Sequence, residues 1–399
     1  MSRVCFTLRH IFQPYLDFDV RINCDVNLSR LKRKLAALDA LFARISSIEL
    51  FTAIPPLDKS PLAIPEPRVL NLRTKYIIST FLRNAPCMPG LHTATFSRII
   101  MDQEHLELLF HSKSLHTLIF DHCSLRGMAP HTPSSIRHLE MRLVEDMEPF
   151  LGHCSANLET LHFICRHAWQ APGLQRFPKL RKLVFARSTS QLDTLTSLAP
   201  QLEYLEFLES DPVYGLPAIP ASVNYFTTSQ RMIRRGDFGT HPFLHIHHLH
   251  IKHASHGSIT PIIQHVFPNL TSLELDITGS FRNFTLLLAR ALPNVTRLKL
   301  NIWDIYPRYD YYDTSQYIGE TLGGRLSSLY VNVSSMICGK DCTRPYEDWI
   351  LRTVFPPTVG LGGPHLQEVE VVFSRGSVSI PSVWWHWKRV EKEWFFKQY

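Results

Sequence analysis

A short apolar pattern recurs through most of this 399-residue chain and constrains its fold more than any other feature. The pattern is apolar-x-x-apolar-x-apolar, as in Leu158-Glu-Thr-Leu161-His-Phe163. Copies start at residues 45, 67, 91, 115, 136, 158, 180, 202, 223, 246, 270, 295, 326 and 366, of which those at 45, 67, 91, 223, 326 and 366 are poorer. From 45 to 295 the mean step is about 22.7 residues, which predicts leucine-rich repeats.

The spacing predicts one short strand and one helix in every repeat. Side chains alternate along a strand, so the fourth and sixth positions of the pattern are expected in the core and the third and fifth outside. Strands stack about 4.8 Å apart, whereas helices need about 10 Å, so the stack has to bend towards its strands. We therefore predict the α/β fold class, as a leucine-rich-repeat solenoid or horseshoe with parallel strands on the concave face and helices outside.

The composition favours a globular protein that binds neither nucleic acid nor membrane. Hydrophobic residues make up 45% of the chain, enough for an extended core. The formal charge of +7 comes from 42 basic and 35 acidic residues, which do not form the continuous cationic stripe of a nucleic-acid reader. The sequence shows no signal peptide and no uncharged apolar run of about 20 residues. Eight cysteines scattered in apolar contexts indicate reduced thiols and an intracellular location, cytoplasmic or nuclear.

The residues that the pattern projects onto the concave face are polar or aromatic and carry both charges, and we predict that they bind a protein substrate. They are His138, Glu140, Arg142, Tyr204, Glu206, His248, His250, Glu274, Arg297 and Lys299, and Asp276 and Asn301 project to the same face. No nucleophile elbow, phosphate-cradling glycine loop or His-Glu-x-x-His motif occurs. A long open face also favours protein recognition over turnover. We therefore predict a protein that is not an enzyme, with no catalytic residues and no cofactor.

Histidines are concentrated in residues 241–256, which hold seven of the 21 in the chain. On a strand, His248 and His250 would project to one face about 7 Å apart. A zinc site needs three or four convergent ligands, and only other repeats could provide the rest. We therefore predict a solvated, mildly pH-responsive patch and no metal site. Cys338 and Cys342 lack a second pair of ligands and are predicted to be free thiols.

Two longer intervals and the last residues depart from the repeat. The intervals hold residues 306–313 and 338–363, which are predicted to be surface loops, with a binding loop as the alternative. At the end of the chain, Val383, Trp387, Val390 and Trp394 fall on one helical stripe after a possible N-cap at Ser382. This stripe predicts a capping helix over 376–399, with a partner- or membrane-docking helix as the alternative.

The first 22 residues resemble the last helix and the exit of an F-box, as found in fungal F-box/leucine-rich-repeat proteins. The stretch is SRVCFTLRHIFQPYLDFDVRI, residues 2–22, in which Pro14 limits an amphipathic helix. The matching residues are Val4, Cys5, Leu8, Arg9, Ile11, Pro14, Leu16, Val20 and Ile22. Asp17 departs from the apolar residue expected there. The predicted domains are therefore an F-box-like remnant at 1–24, a repeat array at 25–375 and the cap at 376–399.

This resemblance implies the substrate receptor of an SCF-type ubiquitin ligase, in which the repeats hold the substrate and the F-box docks a Skp-type cullin adaptor. The residues expected to retain the docking surface are Val4, Leu8, Ile11, Phe12 and Leu16. The family's Leu-Pro-containing segment and two earlier helices have no counterpart after Met1. Either the chain start is incomplete or docking has been lost. A free-standing leucine-rich-repeat scaffold without adaptor docking is the alternative function.

Overall fold

The computed structural model divides into two compact units, residues 1–202 and 203–399. The boundary between them falls inside the predicted repeat array. The structure describes residues 18–24, 45–52, 72–127, 134–145, 147–164, 176–186, 196–208, 219–235, 242–254, 263, 265–278, 294–303, 326–335, 365, 367–375, 383–390 and 393–398.

The first unit is built on a parallel sheet. Its strands are β1 (Phe18–Asn23), β2 (Ile45–Phe51), β3 (Thr93–Ser97), β4 (Ile100–Asp102), β5 (Thr117–Asp121), β6 (Ser124–Arg126), β7 (His138–Arg142), β8 (Thr160–Ile164) and β9 (Lys182–Ala186). The main sheet has the order β1-β2-β3-β5-β7-β8-β9, and β4 pairs with β6 in a small second sheet. Its helices are α1 (Leu72–Asn84), α2 (Gln103–Phe110) and α3 (Glu148–Cys154), with a 3₁₀ helix at Ala85–Cys87.

The second unit continues the same design with longer strands. Its parallel strands are β10 (Tyr204–Leu208), β11 (Tyr225–Ser229), β12 (His248–Ala254), β13 (Ser272–Thr278), β14 (Arg297–Trp303), β15 (Ser328–Ser335) and β16 (Glu368–Arg375). Consecutive strands from β10 to β16 pair in parallel. The helix α4 (Gln230–Arg235) directly follows β11. Two antiparallel strands, β17 (Val383–Val390) and β18 (Glu393–Gln398), complete the sheet.

The strand register confirms the predicted solenoid, because equivalent positions of the pattern pair with one another. Leu139 pairs with Leu118 on one side and with Leu161 on the other. In the second unit Leu273 pairs with Leu249 in the same way. Fourth-position leucines are at most 2% exposed at Leu118, Leu139, Leu161, Leu183, Leu205, Leu249 and Leu273. Each repeat therefore buries its apolar side chains against its neighbours, as a solenoid requires.

Aromatic rings fill the sixth position of several repeats in the first unit. The Phe96 and Phe120 rings stack with centroids 5.5 Å apart, and those of Phe163 and Phe185 stack at 5.4 Å. Beyond the strand, the buried Cys123 thiol donates a hydrogen bond to the Phe96 carbonyl of the preceding repeat, 3.2 Å away. Burial raises the pKa of this thiol to about 12. Cys123 thus takes the place of the polar residue that usually links neighbouring repeats.

A left-handed residue ends several of the strands at one repeat position. Arg98, His122 and Leu143 have φ of 58°, 53° and 53°. Their backbone N–H groups donate to the last strand carbonyl of the next repeat, at 2.8, 2.7 and 2.8 Å respectively. This conformation costs a non-glycine residue roughly 1–2 kcal/mol, and the hydrogen bond that recurs between repeats offsets it. The turn therefore recurs without a glycine.

A buried histidine joins helices α1 and α2 in the first unit. The His105 side chain is fully buried, and its Nε2 lies 3.0 Å from Oγ of Ser79 on α1. Its backbone N–H donates to the N-cap side chain of Asp102 at 3.2 Å. Burial lowers the pKa of His105 below its ordinary value, and the charge of Asp102 only partly opposes this shift.

We expect acid to destabilise the first unit through His105. Because its folded pKa lies below the unfolded value of about 6.5, the unfolded chain takes up a proton first as the pH falls, and the free energy of unfolding decreases below that pH. Urea unfolding at pH 7.5 and 5.5 should show a smaller pH dependence for His105→Gln than for the wild type. His111→Gln, at an exposed histidine after the same helix, is the control. An unchanged dependence in His105→Gln would contradict the assignment.

The repeat copy predicted at Pro67 is not a strand between its neighbours. Residue 67 itself lies outside the described residues, but β2 pairs directly with β3, with Ser47 opposite Thr93. The helix α1 occupies the chain from Leu72 onwards. Of this copy the structure describes only the last residue, Leu72, which begins α1.

The predicted C-terminal capping helix is also wrong, because the described residues form the antiparallel hairpin β17–β18. β17 pairs with β16 so that Glu370 lies opposite His386 and Val371 opposite Trp385. His386 Nε2 lies 2.9 Å from Glu368 Oε1 across this pair. The segment is rich in tryptophan and valine, which favour strands, and its apolar residues satisfy a period of two as well as the helical stripe. The strand forms instead of the helix because β17 can hydrogen-bond with the backbone groups along the edge of β16.

Several predictions fall outside the described residues. They concern the docking surface at Val4, Leu8, Ile11, Phe12 and Leu16, the loops at 306–313 and 338–363, the thiols Cys338 and Cys342, and the N-cap Ser382. The exit strand expected from Val20 and Ile22 is present as β1, where Ile22 is buried.

Candidate functional site

The outward face of each unit, defined by the third, fifth and seventh positions of the repeats, carries the predicted binding residues. In the first unit these are His138, Glu140 and Arg142 on β7. Arg142 Nε contacts Glu140 Oε1, and His162 Nδ1 on the next strand lies 3.1 Å from the same oxygen. Arg142 remains 49% exposed in spite of this contact. The first unit therefore presents a small mixed-charge cluster with an exposed arginine at its rim.

An aromatic column crosses the third positions of the second unit. The rings of Tyr204 and Tyr225 stack with centroids 4.7 Å apart, and Tyr225 and His248 follow at 5.7 Å. The strand register creates this column, since Tyr204 pairs with Tyr225 and Tyr225 with His248. Burial raises the pKa of Tyr225 to about 12. Stacked rings of this kind offer rigid, amphipathic contact area to a partner.

Charged residues lie beside the column at the fifth and seventh positions. Lys252 Nζ lies 2.6 Å from Glu206 Oε1, and Tyr204 donates its hydroxyl to the other oxygen of Glu206 at 2.8 Å. Glu206 is almost completely buried by these neighbours. These contacts hold the Glu206 carboxylate in one orientation, because hydrogen bonds to an ionised group are stronger than those between neutral groups.

The densest part of the face lies where β12, β13 and β14 are adjacent. The Nε2 atom of His250 lies 3.2 Å from Asp276 Oδ2 and 3.8 Å from Glu274 Oε1. Asn301 Nδ2 lies 2.9 Å from Glu274 Oε1 and 2.7 Å from Asp276 Oδ1. Lys299 Nζ reaches Glu274 Oε1 at 2.8 Å. We call His250, Glu274, Asp276 and Asn301 the polar cluster.

The Asp276 carboxylate is ionised within this polar cluster. Burial alone would raise the pKa of Asp276, but the hydrogen bonds with His250 and Asn301 and the charge of Lys252 outweigh it and hold that pKa below its ordinary value. The cluster therefore places two carboxylates and one imidazole against one another on a half-buried surface.

The structure brings most of the predicted face residues of the second unit together. Tyr204, Glu206, His248, His250, Glu274 and Lys299 belong to the column and its charged neighbours, and Arg297 is exposed at the third position of β14. Sequence reasoning missed Tyr225 and Lys252, which hold the column and the Glu206 carboxylate. Both occupy outward positions, Tyr225 the third position of the repeat that starts at Val223 and Lys252 the seventh position of the repeat that starts at Ile246, so the pattern itself contained the signal.

Parallel strands that pair at equivalent repeat positions define each unit as an α/β solenoid of the leucine-rich-repeat type. No protein-family model matches the chain, and no curated protein matches it either. Among solved structures the chain is similar to CroV588, described as a novel circular leucine-rich-repeat protein, with a TM-score of 0.31 and 12% identity. The match covers 86% of this chain and 58% of that one, so the chain spans little more than half of that protein's length.

The described part of the chain holds no helix with the length and apolar character needed to cross a bilayer.

Proposed function

We propose that this chain is a non-enzymatic protein-recognition module that binds a protein partner through the outward face of its repeats. The observation that carries the proposal is the aromatic column of Tyr204, Tyr225 and His248. Regular packing of a solenoid core needs only the inward positions, whereas here the outward positions are also organised into stacked rings flanked by fixed charges. Interfaces use such aromatic anchors with a polar surround.

The charges beside the column favour a protein partner over a nucleic acid. Glu206, Glu274 and Asp276 alternate with Lys252 and Lys299 on neighbouring strands. A nucleic-acid surface would require clustered cations facing the phosphates. Interleaved charges of both signs instead suit a protein surface with complementary charges of both signs, which fixes the orientation of binding.

A finer proposal is that the partner is a substrate of a ubiquitin ligase. It rests on the resemblance of residues 2–22 to the end of an F-box, and it makes the docking residues Val4, Leu8, Ile11, Phe12 and Leu16 the contact to a Skp-type adaptor. The recognition proposal does not depend on this link.

Photo-crosslinking from defined positions tests the recognition proposal. A photoreactive amino acid at Arg142 or Arg297 projects from the outward face, and one at Tyr76 on α1 is the control. The side chain of Arg142 and the residue Tyr76 are both 49% exposed, so accessibility is matched. Irradiation in cells should give a discrete protein adduct from each face position and none from Tyr76. Equal adducts from Tyr76, or none from either face position, would overturn the proposal.

Purified components test the ubiquitin-ligase proposal separately. The full chain should bind a purified Skp-type adaptor at one-to-one stoichiometry in a surface-binding assay. Leu8→Asp, on the predicted apolar stripe, should abolish this binding, and His10→Ala, off the stripe, should leave it unchanged. Absence of binding by the wild-type chain would favour the free-standing scaffold while leaving the crosslinking result untouched.

A further inference from the structure

We propose that the polar cluster of the second unit is a binding site for one divalent transition-metal ion, with Zn²⁺ as the best match. The ligands would be His250 from β12, Glu274 and Asp276 from β13, and Asn301 from β14. This inference is independent of the proposed recognition function, since it depends only on the geometry of these four side chains.

The ligand atoms already converge. One donor atom from each of His250, Glu274 and Asp276 lies within 4.8 Å of the other two. In a tetrahedral zinc site with bonds of about 2.1 Å, neighbouring ligand atoms are about 3.4 Å apart. The separations of 3.2 and 3.8 Å from His250 Nε2 to the two carboxylates are of this size. Small side-chain rotations would therefore complete the coordination without moving the strands.

His250 is aimed into the polar cluster. Its Nε2 atom is inaccessible to solvent and faces Asp276 Oδ2 at 3.2 Å and Glu274 Oε1 at 3.8 Å. An imidazole nitrogen and two carboxylates are electron-pair donors that can share one cation. A metal ion bound between them would take the place of the Nε2 hydrogen, which now lies against the carboxylates.

Asn301 can provide a fourth ligand. Its side-chain nitrogen contacts both carboxylates, at 2.9 and 2.7 Å, and the residue is buried. The oxygen and nitrogen of an amide exchange places after a half turn. In the metal-bound state, that turn would direct the amide oxygen to the ion between the same two carboxylates. The strand register supports this geometry, since Asp276 pairs with Asn301 and His250 with Glu274.

The ligand set favours zinc over the hard cations. Calcium and magnesium prefer sites made of oxygen alone, whereas zinc binds histidine nitrogen together with carboxylate oxygen in four-coordinate sites. The main competitor for the site is Lys299, whose Nζ lies 2.8 Å from Glu274 Oε1. Its side chain is 43% exposed, so it can turn into solvent when an ion binds.

Titration of the metal-free full chain with Co²⁺, followed by visible absorption and then by Zn²⁺ competition, tests the site. The wild type should bind one equivalent. Asp276→Asn and His250→Gln should each weaken binding at least about tenfold, as disturbed metal shells do. Lys299→Met should tighten binding, because it removes the competing cation. His247→Gln is the matched control, since His247 is an exposed histidine on the same segment, and it should bind as the wild type does.

The outcomes separate a built site from adventitious binding by the histidine-rich segment. Wild-type affinity in Asp276→Asn, or a loss in His247→Gln equal to that in His250→Gln, would overturn the proposal. Thermal unfolding provides a second measurement on each variant that folds, because an ion bound only by the folded chain raises the unfolding temperature. Zn²⁺ should raise it for the wild type and Lys299→Met but not for Asp276→Asn. Equal shifts in all three would also overturn the site.

Discussion

Replacing Phe120 by alanine is expected to lower the free energy of unfolding by about 3–5 kcal/mol, the range for loss of a buried phenylalanine ring. Phe120 is fully buried at the sixth position of its repeat. Its ring stacks on Phe96 at 5.5 Å and meets the edge of Phe150 at 5.3 Å. A cavity here removes contacts on both sides, to the preceding repeat and to the helix α3. Equilibrium unfolding in urea, followed by circular dichroism, measures the change.

Ile119 provides the matched control for this substitution. It is the neighbouring residue on β5 and is also apolar, but it occupies the outward fifth position and is half-buried. Ile119→Ala should cost less than about 1.5 kcal/mol, because part of the side chain is already in water. Phe120→Leu, which refills part of the cavity, should recover some of the lost stability. Equal losses from Phe120→Ala and Ile119→Ala would show that the strand does not alternate between core and surface as the structure has it.

The repeat core was predictable because one physical requirement is repeated many times. Each strand must bury its fourth and sixth side chains, so residues such as Leu161 and Phe163 recur at a constant step. If one copy is misidentified, the remaining copies still define the repeat length and the core positions. The poorer copy at Pro67 shows the limit of this argument, since β2 pairs directly with β3 and no repeat strand lies between them.

The polar cluster could be predicted only in part. His250, Glu274 and Lys299 all occupy the fifth position of successive repeats, and Asp276 and Asn301 both occupy the seventh. Alignment of the repeats therefore places them on adjacent strands. Which atoms meet depends on side-chain rotation and on the strand twist, which the pattern does not determine. A comparison of histidines within one strand therefore does not bring Glu274, Asp276 and Asn301 next to His250.

The C-terminal hairpin was missed for a different physical reason. Its apolar residues fit a helical stripe, and Val383, Trp385 and Trp387 also alternate as in a strand, so local periodicity could not separate the two. The deciding factor is the free edge of β16, whose backbone groups pair with β17 and are not part of the segment's own periodicity. β17 satisfies these groups along its length, from Glu368 opposite Lys388 to Phe373 opposite Val383.

Deletion of residues 381–399 is therefore expected to convert the second unit into an aggregating species. The truncated chain would expose β16, an eight-residue parallel strand with Val369, Val371 and Val372 in its sequence, as an open edge. Unpaired edges of this length recruit strands from other molecules. We expect the monomer fraction in size-exclusion chromatography with light scattering to fall by more than about half, because in a solenoid the terminal element protects the repeats behind it.

Deletion of residues 393–399 alone separates this edge effect from general loss of the terminus. It removes β18 but leaves β17 on β16, and it exposes an edge that carries His386, Lys388 and Arg389. Charged side chains on an edge strand oppose intermolecular pairing, so this shorter deletion should remain mostly monomeric. If the longer deletion also stays monomeric with an unchanged urea midpoint, then the hairpin is not the cap of the solenoid. If both deletions aggregate equally, the protection comes from β18 and not from the pairing of β17 with β16.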